Sequence, residues 1–99
     1  AEPSPGAGAY NRSARFCVDR GMMLVEALQW ATNSVSMEKK YWSLYTLALA
    51  QAANGKTKEA IATAEEGMKV AQEEKSEAYV KLFRERILEW RRAPAGTAK

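Results

Sequence analysis

Residues 21–28 read Gly-Met-Met-Leu-Val-Glu-Ala-Leu, and residues 55–61 read Gly-Lys-Thr-Lys-Glu-Ala-Ile. In both segments a glycine suited to end one helix precedes a short turn, and Glu-Ala with an aliphatic residue then begins the next helix. Three small residues recur 33 positions later: Ala27, Ala31 and Ser34 correspond to Ala60, Ala64 and Gly67. This spacing is the length of a helix-turn-helix unit. The repeat therefore predicts an α-solenoid, in which helical hairpins stack side by side.

Apolar residues at helical spacing predict five helices. The predicted ranges are about 10–20, 24–36, 38–54, 57–74 and 76–92. No stretch alternates between apolar and polar residues with the period of two that indicates a strand. We therefore predict an all-α fold, an α-solenoid of two hairpins with a C-terminal capping helix.

The composition limits the chemistry available to the chain. With 99 residues it has the size of one small domain. Histidine, the most common general base and metal ligand, is absent. The single cysteine, Cys17, cannot form an internal disulfide, and its place between Phe16 and Val18 in a helical stretch predicts a buried core residue.

Both ends of the sequence differ from its middle. Residues 1–9 and 93–99 are rich in small residues, proline and glycine, which bury little apolar surface. We expect both to be disordered tails around a helical domain at 10–92. The first tail is interpreted as a linker from a longer polypeptide, with an N-terminus left by signal-peptide cleavage as the alternative. No apolar run approaches the roughly 20 residues that cross a bilayer, so we expect no membrane partner.

The second unit resembles a tetratricopeptide repeat (TPR), a pair of helices named A and B. The matching positions are Leu44, Leu47, Ala48, Ala60 and Gly67. The match is incomplete, because Gln51 replaces the usual tyrosine, Ala64 the usual aromatic residue and Gln72 the closing proline. The first unit also has one extra residue after Gly21. The TPR-like resemblance covers about residues 10–92.

A second resemblance concerns residues 11–17 (Asn-Arg-Ser-Ala-Arg-Phe-Cys) and 25–31 (Val-Glu-Ala-Leu-Gln-Trp-Ala). Together they are similar to helical tails that follow a β-rich domain in some bacterial proteins of unknown function. This similarity implies that the chain is the C-terminal domain of a longer protein. It suggests a context but no ligand.

The TPR resemblance implies a partner-binding face, because ligands of such repeats commonly lie along the concave surface formed by the A helices. Mapped onto this sequence, the face comprises Asn11, Arg15, Tyr45, Leu49, Tyr79, Phe83 and Arg86. These residues are aromatic with basic edges, which suits an apolar or carboxylate-bearing peptide whose anion meets Arg15 and Arg86. An equally weighted alternative is that the four apolar residues simply pack against one another. The known TPR carboxylate clamp is not reproduced, because Tyr45 and Leu49 stand where polar residues are needed.

Nucleic-acid binding and catalysis are both disfavoured. The net charge is only +3, and the basic residues at 81–92 alternate with glutamates that can pair with them along a helix. Glu26 and Glu59 occupy equivalent positions, but carboxylates are favourable at helix N-termini for structural reasons. The sequence has no glycine-rich phosphate loop, no metal-ligand spacing and no nucleophile beside a base. We expect no enzyme activity, no cofactor, no metal and no nucleic-acid partner.

Two hairpins and a cap are fewer than the roughly three repeats that such stacks usually need. We therefore expect an exposed apolar patch with contributions from Met22, Met23, Trp30, Trp42 or Trp90. The leading hypothesis is a non-catalytic protein-protein interaction module whose concave face receives a peptide or a partner domain. The alternative is a structural appendage that packs on a larger domain of its own polypeptide or forms a homodimer.

Overall fold

The computed structural model describes residues 6–92, and over that range it contains five α-helices and no strand. They are α1 (Ala7–Arg20), α2 (Leu24–Met37), α3 (Tyr41–Ala53), α4 (Thr57–Glu73) and α5 (Glu77–Arg92). The predicted all-α arrangement of helical hairpins is confirmed. The tails predicted at 1–5 and 93–99 lie outside the described residues.

The first helix begins three residues earlier than predicted, at Ala7 instead of Tyr10. The buried hydroxyl of Ser34 donates a 2.8 Å hydrogen bond to the carbonyl oxygen of Ala7, and Ala7 itself is buried. This contact joins the start of α1 to the end of α2. Residues 7–9, which we predicted as part of the linker, therefore belong to the folded domain.

The third helix begins three residues later than predicted, at Tyr41 instead of Glu38. The Ser43 hydroxyl accepts a 2.9 Å hydrogen bond from the backbone N–H of Lys40 and donates one of 2.7 Å to the carbonyl oxygen of Glu38. A side chain that bonds to the backbone ahead of a helix in this way caps its N-terminus. These hydrogen bonds fix residues 38–40 as a non-helical connection before α3.

Residues with left-handed backbone conformation follow α1, α3 and α4, and another one precedes α2. Gly21 and Gly55 have φ values of 66° and 79°, as expected for glycine after a helix. Met23, with φ 50°, and Lys75, with φ 61°, adopt the same region although they carry side chains. The turn at Lys75 has no glycine, so the sequence carried no such signal for it.

The helices pack as two hairpins and a cap. The first hairpin is α1–α2 and the second is α3–α4, while α3 also contacts both helices of the first hairpin. α5 packs mainly on α4 and touches α3 at its edge. α1, α3 and α5 therefore form a contiguous series. All six small residues of the repeat are buried where helices meet: Ala27, Ala31, Ser34, Ala60, Ala64 and Gly67.

The core has two parts of different character. Around α3 and α5 it contains large side chains: Leu44, Tyr45, Leu49, Phe83 and Ile87. Around α1 and α2 the buried residues are mostly alanines, with Cys17 among them. Cys17 is a buried free thiol, which confirms its predicted place in the core. The first hairpin is thus held by close helix approach rather than by bulky side chains.

Candidate functional site

We use the name α1–α3–α5 face for the side of these three helices that carries the seven residues singled out by the TPR resemblance, whether their side chains are exposed or buried. Asn11 and Arg15 lie on α1, Tyr45 and Leu49 on α3, and the other three on α5. Direct contacts connect five of the seven: Arg15, Tyr45, Tyr79, Phe83 and Arg86. Tyr45 is their common partner, because it contacts each of the other four.

The aromatic residues of this face pack against one another. The ring centroid of Tyr45 lies 5.3 Å from that of Phe83 and 5.6 Å from that of Tyr79, both in edge-to-face geometry. Tyr45, Leu49 and Phe83 are buried, with exposed fractions of 3%, 7% and 0%. These three side chains are therefore core residues, and of the aromatic residues predicted for the face Tyr79 alone keeps part of its surface in solvent.

Arg86 is held by the Tyr45 hydroxyl. Its Nε donates to the hydroxyl oxygen over 3.2 Å, and its Nη1 lies 3.3 Å from Oε1 of Glu89, one turn further along α5. The hydrogen bond to Tyr45 raises the pKa of Arg86 above its ordinary value. The guanidinium therefore stays charged at the edge of the face, with its direction fixed by a buried ring.

Arg15 approaches the same ring from the opposite helix. Its guanidinium carbon lies 5.4 Å from the ring centroid of Tyr45, which is a cation–π distance. Its Nε is 3.1 Å from Oδ1 of Asp19. One buried tyrosine thus positions two cations, one from α1 and one from α5.

Asn11 lies one turn before Arg15 on α1. Its Oδ1 atom is buried and has no hydrogen-bond partner within residues 6–92. An acceptor in that state carries a desolvation cost of about 1–3 kcal/mol.

Tyr41 belongs to this group, although the TPR resemblance did not place it on the binding face. Its ring centroid lies 4.8 Å from that of Tyr79, and it is half-buried. Tyr41 and Tyr45 are four residues apart on α3, so they share one side of the helix. That spacing was the signal by which the sequence could have included Tyr41.

A depression with a volume of about 460 Å³ lies elsewhere on the surface. It is formed by the end of α4 and the start of α5, over Ala71 and Val80, with Lys75, Lys81 and Arg84 at its rim. These cations are solvent-exposed, and no buried polar group within the described chain points into the depression. We therefore place the candidate site on the α1–α3–α5 face, where a buried side chain orients the charges.

Two of the basic residues at 81–92 make ion pairs within residues 6–92, and only one of these pairs follows the alternation with glutamate along α5. Arg91 pairs with Glu65 across the α4–α5 interface, and Arg86 pairs with Glu89. Within residues 6–92 no three His, Cys, Asp or Glu side chains are grouped as a metal site requires. Over the same range no helix is both long enough and apolar enough to cross a membrane.

The side chains expected to form an exposed apolar patch are exposed only in part. Met22 and Met23 are exposed, whereas Trp30, Trp42 and Trp90 are half-buried. Phe16, Val25 and Met37 are also exposed, so five of the seven large exposed apolar side chains within residues 6–92 lie between α1 and the end of α2. The first hairpin therefore carries most of the uncovered apolar surface.

Comparison with protein-family models, with curated proteins and with solved structures finds no match to this chain, so its fold and candidate site rest on its residues and their geometry.

Proposed function

We propose that this chain is a non-catalytic protein-protein interaction module that binds a partner segment on the α1–α3–α5 face. The observation that carries the proposal is the convergence of Arg15 and Arg86 on Tyr45. Because the ring is buried, both guanidinium groups are oriented before any partner arrives. Preorganisation of this kind lowers the entropic cost of binding.

The chemistry of the face favours a carboxylate beside an apolar side chain. Arg15 and Arg86 are each paired with one exposed carboxylate of their own helix, Asp19 or Glu89. Exposed pairs of this type contribute only about 0–1 kcal/mol, so a partner's carboxylate can replace them at little cost. The half-buried rings of Tyr41 and Tyr79 lie against this group and offer apolar contact.

A peptide array tests the proposal. The labelled chain is applied to short peptides in which Asp or Glu is moved relative to Leu or Phe, and the affinities of the peptides that bind are then measured in solution. We expect binding to need both residue types. We also expect Arg15→Gln and Arg86→Gln each to weaken it about tenfold or more, as for the loss of a charge-assisted hydrogen bond.

Lys81→Gln is the matched control, because it removes one positive charge from α5 at an exposed position outside the face. It should leave the affinity unchanged. The proposal fails if none of the peptides binds, or if Arg15→Gln and Arg86→Gln behave like Lys81→Gln.

The alternative function is a structural appendage on a larger domain or a homodimer, and the exposed apolar surface of the first hairpin favours it. Light scattering over a dilution series separates the two. A monomer that binds peptides supports the interaction module. A dimer that persists on dilution, without peptide binding, supports the alternative.

A further inference from the structure

The two sides of the α1–α2 hairpin differ. One side is covered by α3, and no other helix within residues 6–92 covers the opposite side. Two adjoining depressions of about 330 and 310 Å³ lie there and share Ser13 and Trp30. We name them the Trp30 groove, lined by Ala9, Tyr10, Ser13, Phe16 and Trp30.

The Trp30 groove is separate from the α1–α3–α5 face. At about 100° per residue, Ser13 and Arg15 point in directions about 200° apart around α1. Between Ala9 and Phe16 the groove follows about two helical turns, or about 10 Å. Met37, which is exposed, lies two turns beyond Trp30 on the same side of α2. A groove between two helices with these dimensions fits a third helix.

The charged residues at the rim of the groove indicate which kind of helix would bind there. The guanidinium of Arg12 lies back along α1 beside Gly8, and that of Arg20 lies 4.0 Å over the ring of Phe16. Neither arginine forms an ion pair with any residue between 6 and 92. On the α2 side the corresponding charged residue is Glu26, which is exposed. Asp19 also lies at the α1 rim but pairs with Arg15, so the α1 rim has a net positive charge and the α2 rim carries one negative charge.

We infer that the Trp30 groove binds an amphipathic α-helix of a partner whose apolar stripe covers Trp30 and Phe16 and whose acidic edge meets Arg12 and Arg20. Helix-in-groove recognition of this type uses apolar anchors spaced by one turn, with charge at the edges fixing the orientation. Glu26 on the opposite rim disfavours the reversed placement of the acidic edge. This inference does not depend on the function proposed for the α1–α3–α5 face.

The α5 helix of a second copy is a poorer occupant. On α5, Leu82 and Leu88 are the exposed large apolar residues that another copy could insert. The neighbouring basic side chains would meet Arg12 and Arg20: Lys81, Arg84 and Arg92. Like charges at an interface oppose association.

The test uses the full chain and two synthetic helical peptides held helical by a side-chain cross-link. Both carry the same leucine stripe, and one edge bears glutamates in the first peptide and lysines in the second. The readout is the NMR shift of the Trp30 indole N–H during titration. We expect the glutamate peptide to bind at least about tenfold more tightly than the lysine peptide, with a preference that weakens as salt is added.

Two sets of variants give the proposal its strongest test. Arg12→Glu combined with Arg20→Glu should reverse the preference, so that the lysine peptide binds better. Ser13→Trp should block both peptides by filling the groove, whereas Ser36→Trp, at an exposed position about 120° around α2 from Trp30, should not. Arg15→Gln and Arg86→Gln should leave this binding unchanged, which separates it from the proposed function.

Three results would overturn the inference. The first is that the glutamate peptide leaves the Trp30 resonance unmoved. The second is equal affinity for both peptides in the unmodified chain. The third is a Trp30 resonance that moves on dilution of the protein alone, together with a dimer mass, because a second copy would then cover the groove.

Discussion

Gly67 has no side chain, and this allows α4 to approach α5 closely. A Cβ atom on Gly67 would lie 2.3 Å from Cζ of Phe83, whose side chain is fully buried and cannot move aside. We expect Gly67→Ala to lower the free energy of unfolding by about 1–3 kcal/mol through overpacking. The gain of about 1 kcal/mol that alanine brings to a helix interior offsets part of this overpacking cost. Urea unfolding followed by circular dichroism measures the change.

Gly8→Ala makes the same substitution in a helix where there is room. A Cβ atom on Gly8 would lie 3.4 Å from Nη1 of Arg12, the flexible end of an exposed side chain. We expect stability to be unchanged or to rise by up to about 1 kcal/mol. Similar losses for Gly8→Ala and Gly67→Ala would show that close packing against Phe83 is not what requires Gly67.

The Tyr45 hydroxyl has a role distinct from that of its ring. Tyr45→Phe keeps the aromatic packing and the stacking with Arg15 but removes the acceptor that holds Arg86. We expect a loss of about 0.5–1 kcal/mol in the free energy of unfolding, since Arg86 is partly exposed. Chemical denaturation measures it. Peptide binding to the α1–α3–α5 face should weaken as well, because Arg86 loses its fixed direction.

The pH dependence of that loss follows from the sign of the pKa shift. The hydrogen bond from Arg86 to Tyr45 raises the pKa of Arg86 in the folded state. The stabilisation is therefore complete below the ordinary arginine pKa and is lost only as the pH rises through the folded-state pKa. Between about pH 5 and pH 9 the effect of Tyr45→Phe should be constant.

Tyr79→Phe is the control for Tyr45→Phe, because the Tyr79 hydroxyl makes no hydrogen bond within the described chain. An equal loss of stability in Tyr79→Phe would contradict the role assigned to the hydrogen bond between Arg86 and Tyr45.

The junction between the two hairpins depends on one side chain. Nδ2 of Asn54, after α3, donates 2.8 Å hydrogen bonds to the carbonyl oxygens of Ala50 and Leu24, and Leu24 begins α2. Asn54→Asp has nearly the same size but replaces the donor by an acceptor facing two carbonyl oxygens. We expect the free energy of unfolding to fall by about 1–3 kcal/mol. Urea unfolding of the variant provides the measurement.

Asn33→Asp is the comparison, because Asn33 is exposed on α2 and makes no side-chain hydrogen bond within residues 6–92. Its effect should stay within about 0.5 kcal/mol, as for most surface substitutions. If both variants cost the same, the change of charge and not the link between the hairpins would account for the loss.

Local sequence patterns predicted the five helices, and contacts between distant residues decided part of what these patterns missed. The start of α1 depends on a bond between Ser34 and Ala7, 27 residues apart, which helix propensity does not encode. The TPR resemblance singled out Tyr45, Tyr79 and Phe83 of the aromatic group and missed Tyr41. The convergence of Arg15 and Arg86 on Tyr45 did not follow from residue type and spacing, since side-chain directions on three helices are set by their mutual packing.

The chain as a whole is unevenly stabilised. Each large side chain buried around α3 and α5 contributes roughly 1.5–3 kcal/mol, whereas the alanines between α1 and α2 contribute much less. The first hairpin should therefore open at a lower free energy than the rest. In native-state hydrogen exchange, we expect the amides of α1 and α2 to exchange faster than those of α3 and α5.

The glutamate peptide designed for the Trp30 groove allows hydrogen exchange in the first hairpin to be compared with and without a bound ligand. A ligand that binds only the closed hairpin stabilises it in proportion to the logarithm of its concentration above Kd. Saturating peptide should therefore slow exchange in α1 and α2 and leave α5 nearly unchanged. Equal protection in all helices of the free chain would contradict this prediction. It would mean that the first hairpin and the aromatic core unfold as one cooperative unit, and that close helix approach in the hairpin compensates for its smaller side chains.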